Sequence, residues 1–73
     1  MMTNIFMAGS DLVRWELTAF GSHGPYRLTM SHPHGSIVEY FPTTRDALVR
    51  EAELEQLLIS ALGSSQMAVR SMQ

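Results

Sequence analysis

The chain has 73 residues, and its seven acidic and five basic side chains give a formal net charge of -2. It contains no cysteine, which excludes disulfides and thiolate zinc sites. A domain this small gains little stability from its core alone, so close helix–sheet packing or a second subunit has to contribute. The slight acidic charge gives no electrostatic basis for binding nucleic acid, which depends on Lys and Arg neutralising phosphates.

The two ends of the chain lack the periodicity of regular structure. Residues 1–10 are predicted to form a flexible arm, and residues 64–73, which follow the helix-stop signal Gly63, to form a disordered tail. Residues 11–63 are then the single folded domain. The start lacks the basic segment of a signal peptide, and no run approaches the roughly 18 apolar residues of a membrane span, so we expect a cytoplasmic bacterial protein.

Two segments alternate apolar and polar side chains, which is the pattern of half-buried strands. They cover about 12–20 and about 26–32, and the Gly- and Pro-containing residues 21–25 between them predict a hairpin loop. The side chains predicted to point inward are Val13, Trp15, Leu17, Ala19, Tyr26, Leu28 and Met30.

A third strand is predicted over about 37–41, and it is apolar in both phases. We expect Glu39 to face water. Alternation then places Val38 and Tyr40 in the core and leaves the two end residues of the strand on the outer face. Those two residues are Ile37 and Phe41.

A helix is predicted over about 44–62. Thr43 or Thr44 can cap its first turn, and Asp46 places a carboxylate at the positive end of the helix. The three strands and the helix together predict an α+β fold, in which a three-stranded antiparallel β-meander packs against one C-terminal helix.

The apolar residues of this helix cover an arc of about 220°, whereas a helix on one sheet needs little more than about 100°. The excess predicts a second burial surface, and we expect a homodimer formed through the helix. The residues predicted for that interface are Leu48, Leu54, Leu58, Ile59 and Leu62. The glutamates expected on a solvated or interfacial face of the same helix are Glu51, Glu53 and Glu55.

The three histidines fall in two loops, which a meander places at opposite ends of the sheet, about 20 Å apart. His23 therefore cannot join the other two in one site. His32, His34 and Asp11 share one end and are the candidate metal ligands, although an ordinary polar hairpin loop is the favoured interpretation. At the other end, His23 and Asp46 could form an acid–base pair only if a pocket were present, and none is evident.

No motif in the chain assigns a chemical activity, so we expect no enzyme, no cofactor and no small-molecule substrate. The leading hypothesis is a protein-interaction module that homodimerises through its helix. The alternative is a nucleic-acid-associated or regulatory protein that uses Arg14 and Arg27 on the outer face of the sheet. RNA-binding sheets stack bases on exposed aromatic residues, and here the sequence offers Phe20 and Phe41 only at the margins.

Overall fold

The computed structural model describes residues 1–63, and the predicted tail over 64–73 lies outside this range. The described part is an antiparallel sheet of four strands, ordered as they follow in the chain, with one C-terminal helix. This confirms the α+β class and the meander. The elements are β1 (Met2–Ala8), β2 (Asp11–Ala19), β3 (Tyr26–His32), β4 (Gly35–Phe41), α1 (Thr44–Leu58) and a π-helical segment (Ile59–Gly63) that continues α1.

The prediction of three strands is wrong, because β1 forms a fourth strand inside the segment that was expected to be a flexible arm. It pairs with β2 without interruption, from Met2 opposite Leu17 to Ala8 opposite Asp11. A two-residue turn joins the two strands, and Gly9 in it has a φ of 66°, a conformation that favours glycine. Most side chains of β1 are exposed, so its sequence shows no alternation.

The core lies between the inner face of the sheet and α1. Its centre is formed by cross-strand neighbours on β2 and β3, where Trp15 lies opposite Met30 and Leu17 opposite Leu28. Full burial of a side chain of this size contributes roughly 1.5–3 kcal/mol. The buried apolar residues of the described part are Ala8, Val13, Trp15, Leu17, Leu28, Met30, Ala47 and Leu54.

The side chains of β4 point in the opposite directions from those predicted. Val38 and Tyr40, which were expected in the core, are exposed on the outer face, and Tyr40 is 61% exposed. Ile37 and Phe41 pack against the core in their place. The third inner residue of the strand is Glu39, which was expected to face water.

Glu39 can lie on the inner face because α1 supplies a partner for its carboxylate. The Arg50 guanidinium binds it through Nε to Oε1 at 3.0 Å and through Nη2 to Oε2 at 3.3 Å, and Arg50 Nη1 also donates to Glu53 at 3.2 Å. The hydrogen bonds to Glu39 and then to Glu53 hold the pKa of Arg50 above its usual value. A carboxylate that is paired and hydrogen-bonded avoids the free-energy cost of being desolvated alone. Glu39 can therefore lie on the inner face of the sheet.

α1 begins as predicted. Thr43 is the N-cap, since its Oγ1 accepts a hydrogen bond from the Asp46 backbone N–H at 3.1 Å. The regular α-helix ends at Leu58, four residues before the predicted end, and the chain continues in π-helical geometry to Gly63. In the range that the structure describes, no helix has both the length and the apolar character needed to cross a bilayer.

Candidate functional site

The residues predicted for a helix-mediated interface all lie on the side of the helix that faces the sheet. Leu54 is only 5% exposed, and the other four are half-buried against the same core. Those four are Leu48, Leu58, Ile59 and Leu62. The fourth strand explains this, because α1 packs on β3, β4 and β1, and the π-helical segment packs on β1. A wider sheet therefore occupies much of the apolar arc that seemed to require a partner.

The opposite side of α1 keeps its own apolar residues in solvent. Leu57 is 59% exposed, and Val49 is also more than half exposed. Together with Ala52 and Ser60 they line a shallow, open groove along the helix. The ion pair between Arg50 and Glu53 borders it. This outer side of α1 is one of three surfaces that could bind a partner.

Glu51 is the one buried acidic residue among residues 1–63, although it was expected on a solvated or interfacial face. It is 8% exposed, and its Oε2 has no hydrogen-bond partner within the described range. Burial raises the pKa of Glu51 to about 7, and the hydrogen bond and charge of Glu55 act in the same direction. The neighbouring acid is one helical turn away, so Glu51 has a like-charged neighbour and lacks the oriented base or nucleophile of an acid–base site.

The candidate metal ligands do meet at one end of the sheet, as the meander predicts. His34 Nε2 lies 3.8 Å from Asp11 Oδ2, and the His32 and His34 rings are 6.1 Å apart. However, His32 Nδ1 already accepts a hydrogen bond from the His34 backbone N–H at 3.2 Å, and His34 is exposed. In residues 1–63 no three His, Asp or Glu side chains are placed to hold a metal ion. His23 lies in the β2–β3 loop, at the opposite end of the sheet.

The second surface is an aromatic cluster on the outer face of the sheet, at its β4 side. The Phe20 and Tyr40 rings are 6.5 Å apart, and the Arg27 guanidinium lies 5.0 Å from the centre of the Phe20 ring. Arg27 Nε has no hydrogen-bond partner in the described part of the chain. The cluster was missed because Tyr40 was assigned to the core. Cation–π contacts of this kind hold an arginine next to an aromatic surface.

The second arginine of the nucleic-acid hypothesis lies away from this cluster. Arg14 is opposite Ser31, four positions along β2 from Thr18, which is opposite Arg27. Four residues of strand correspond to about 13 Å. Arg14 also pairs with Glu16 at 3.0 Å, which neutralises its charge locally. The two arginines therefore do not form one basic patch.

The third surface is an apolar corner of the outer sheet face, at the β1 side. Its side chains are Ile5, Met7 and Leu12, each more than half exposed, and Met7 lies directly opposite Leu12. Exposed apolar patches on small soluble domains commonly mark sites of interaction. The sequence does not reveal this corner, because it arises only when β1 pairs with β2.

Comparison of the chain with protein-family models, with curated proteins and with solved structures finds no match. The function is therefore inferred from the three surfaces described above.

Proposed function

We propose that the protein is a non-enzymatic interaction module that forms a homodimer. The observation that carries this proposal is the apolar corner of Ile5, Met7 and Leu12, three neighbouring side chains that a lone chain leaves more than half exposed. Transfer of such surface from water to a protein interface is favourable by roughly 25 cal/mol for each Å² of apolar area removed.

The modest size of the core supports the same proposal. Two of the buried apolar residues in the described range are alanines, Ala8 and Ala47, which add little buried area. One further buried position on the helix is taken by Glu51, which opposes burial instead of favouring it. A second subunit adds apolar contacts that the isolated chain lacks, as is common for domains of this length.

A non-enzymatic role is supported by the placement of the titratable groups. The His34–Asp11 contact is exposed and long, and Glu51 has another glutamate as its titratable neighbour. Neither arrangement pairs a nucleophile with an oriented base, which acyl transfer and related chemistry require.

Sedimentation equilibrium over a range of micromolar concentrations tests the proposal. We expect a mass of twice the 8.2 kDa of one chain, falling towards 8.2 kDa on dilution. A mass that stays at 8.2 kDa up to high micromolar concentration would contradict the homodimer. We also propose that the protein is cytoplasmic, which cell fractionation tests.

The alternative function, an association with nucleic acid, is favoured by the aromatic cluster. Phe20 and Tyr40 are exposed beside Arg27, and exposed aromatic rings next to an arginine can stack on unpaired bases. The test is binding of a fluorescent single-stranded RNA at about 50 mM salt, with Tyr40→Ala as the stacking variant. Binding that is lost in Tyr40→Ala and at higher salt supports the alternative, and no binding at low salt excludes it.

A further inference from the structure

β1 is an edge strand whose outer side faces no other strand within residues 1–63. Its Ile5 backbone N–H donates instead to the side-chain Oδ1 of the neighbouring Asn4, at 2.8 Å. In an antiparallel ladder, alternate residues direct their main-chain groups to opposite sides of the strand. This hydrogen bond therefore identifies Thr3, Ile5 and Met7 as the residues whose N–H and C=O groups point away from β2.

The outer edge of β1 lacks the features that normally prevent edge-to-edge pairing. Residues 2–8 contain no charged residue and no proline, and their register with β2 has no bulge. Natural sheets protect exposed edges with charges, prolines or bulges. β4, the other edge, has such features: Glu39 lies within it, and Pro33 and Pro42 lie close to its two ends.

We propose that the outer edge of β1 pairs with the same edge of a second copy of this chain, antiparallel and about a two-fold axis at Ile5. This inference rests on the proposed homodimer and names its interface. Each chain contributes the four strands of its sheet, so the pairing joins two sheets into one continuous sheet.

The geometry of β1 is self-complementary in this arrangement. Ile5 lies opposite Ile5 of the other copy, and Thr3 lies opposite Met7. All three residues have outward main-chain groups, so the two strands exchange about six backbone hydrogen bonds. The strand is uncharged, so pairing with itself brings no like charges together.

The apolar corner gives this edge its side-chain contacts. The residues whose main-chain groups point outward also place their side chains on the outer face of the sheet. Across the two-fold axis the two Ile5 side chains become direct cross-strand neighbours, at a Cα separation of about 5.5 Å. Met7 and Leu12 of both copies then extend one apolar strip across the dimer. A second copy is therefore favoured over an unrelated strand, because it supplies both matching main-chain groups and matching apolar side chains.

The helical region lies on the inner face of β1. Both α1 and the π-helical segment pack on this strand. Two-fold pairing of the β1 edges places both helices on the same side of the joined sheet. Ile59 and Leu62, two of the residues predicted from the sequence to form an interface, belong to the segment that packs on β1.

Two substitutions of Ile5 test the edge. Ile5→Pro removes only the N–H that points away from β2, so the ladder within the chain keeps its hydrogen bonds. Ile5→Lys places two like charges opposite each other at the axis. The matched control is Val38→Lys, which changes an exposed β-branched residue on the outer face of the other edge strand. Circular dichroism and thermal unfolding show whether each variant is folded.

Sedimentation equilibrium of the wild type and the three variants gives distinct outcomes. We expect Ile5→Pro and Ile5→Lys to raise the dimer dissociation constant at least about tenfold and Val38→Lys to leave it unchanged. A dimer that both Ile5 variants leave intact overturns the β1 interface and keeps the proposed homodimer. A wild-type monomer overturns both.

A measurement on the wild type decides the question even if a variant fails to fold. Amide hydrogen exchange at Thr3 and Met7 is expected to be slow at high protein concentration and to become fast on dilution, since these outward N–H groups face no other strand within residues 1–63. The Ile5 amide is less informative, because its N–H also donates to Asn4 Oδ1 within the single chain. Fast exchange at Thr3 and Met7 in a sample that is fully dimeric overturns the proposed pairing.

Discussion

Each side of α1 contains residues whose exposure does not match their hydropathy. The side against the sheet buries a carboxylic acid, Glu51, whereas the side towards solvent exposes Val49 and Leu57. Two interactions hold this orientation: the packing of Ala47 and Leu54 in the core and the Arg50–Glu39 ion pair with β4. The comparison teaches that the docking of the whole helix decides which residues are buried, and that individual positions then accept an unfavourable environment.

Removing the central inward leucine is expected to produce the largest effect. Leu54→Ala should lower the free energy of unfolding by about 3 kcal/mol, because it removes buried methyl groups and leaves a cavity between α1 and the sheet. Chemical denaturation at a fixed protein concentration measures this, since dimerisation makes the apparent stability depend on concentration. A loss below about 1 kcal/mol would show that the helix does not pack on the sheet through Leu54.

The next effect comes from the acid on the same side. An unfolded glutamate titrates near 4.5, whereas the pKa of buried Glu51 is raised to about 7. Between these values the folded chain holds a proton that the unfolded chain has lost, so the free energy of unfolding should fall as pH rises from about 4.5 to about 7 and level off above. Glu51→Gln should abolish most of this slope and stabilise the protein at pH 8 by about 2 kcal/mol.

Urea denaturation of Glu51→Gln and of the wild type at pH 5 and pH 8 checks this expectation. The control is Glu53→Gln, which removes an exposed glutamate from the same helix and should retain the loss of stability that Glu51 causes between pH 5 and pH 8. If Glu51→Gln and the wild type show parallel pH profiles, then Glu51 is not ionising in a desolvated site, and its placement against the sheet is wrong.

Much of the fold follows from the sequence, and the wrong predictions each have a local physical cause. The alternation in β2 and β3 was predicted, and so was a threonine N-cap, which the structure assigns to Thr43 from the two candidates Thr43 and Thr44. The two-residue turn at Pro33–His34 pairs His32 with Gly35 and so places Tyr40 opposite Arg27. The prediction for β4 was wrong because Glu39 was expected to face water, and a change of one residue in the alternation moves every side chain to the other face.

β1 was not predicted for a different reason, and its omission also affected the prediction of the interface. β1 is exposed on most of its surface, so its side chains do not alternate in polarity, and only its pairing with β2 reveals it. Without β1 the sheet looks too narrow for the apolar arc of α1. Leu58, Ile59 and Leu62 were therefore predicted as interface residues, whereas within one chain they pack against the core. When an edge strand is missed, the residues that pack against it are thus wrongly assigned to a partner.

The N-cap hydrogen bond contributes to stability at the start of α1, independently of its two sides. Thr43→Ala removes the Oγ1 acceptor of the Asp46 N–H and should cost about 1 kcal/mol, whereas Thr43→Ser keeps the acceptor and should cost much less. Thermal unfolding of the two variants measures the difference. Equal stability of the alanine and serine variants would mean that the hydrogen bond at 3.1 Å does not stabilise the first turn.

The smallest effect is expected on the outer side, where Leu57→Ala is the counterpart of Leu54→Ala. Leu57 is 59% exposed, so its truncation removes little buried area and should change the free energy of unfolding by less than about 0.5 kcal/mol. Chemical denaturation under the same conditions as for Leu54→Ala compares two leucines that lie three positions apart on one helix. A loss as large as that of Leu54→Ala would mean that Leu57 is packed in the folded protein. If that loss appeared only at concentrations where the chain is dimeric, the outer side of α1 would belong to an interface, and the β1 edge alone would not account for the dimer.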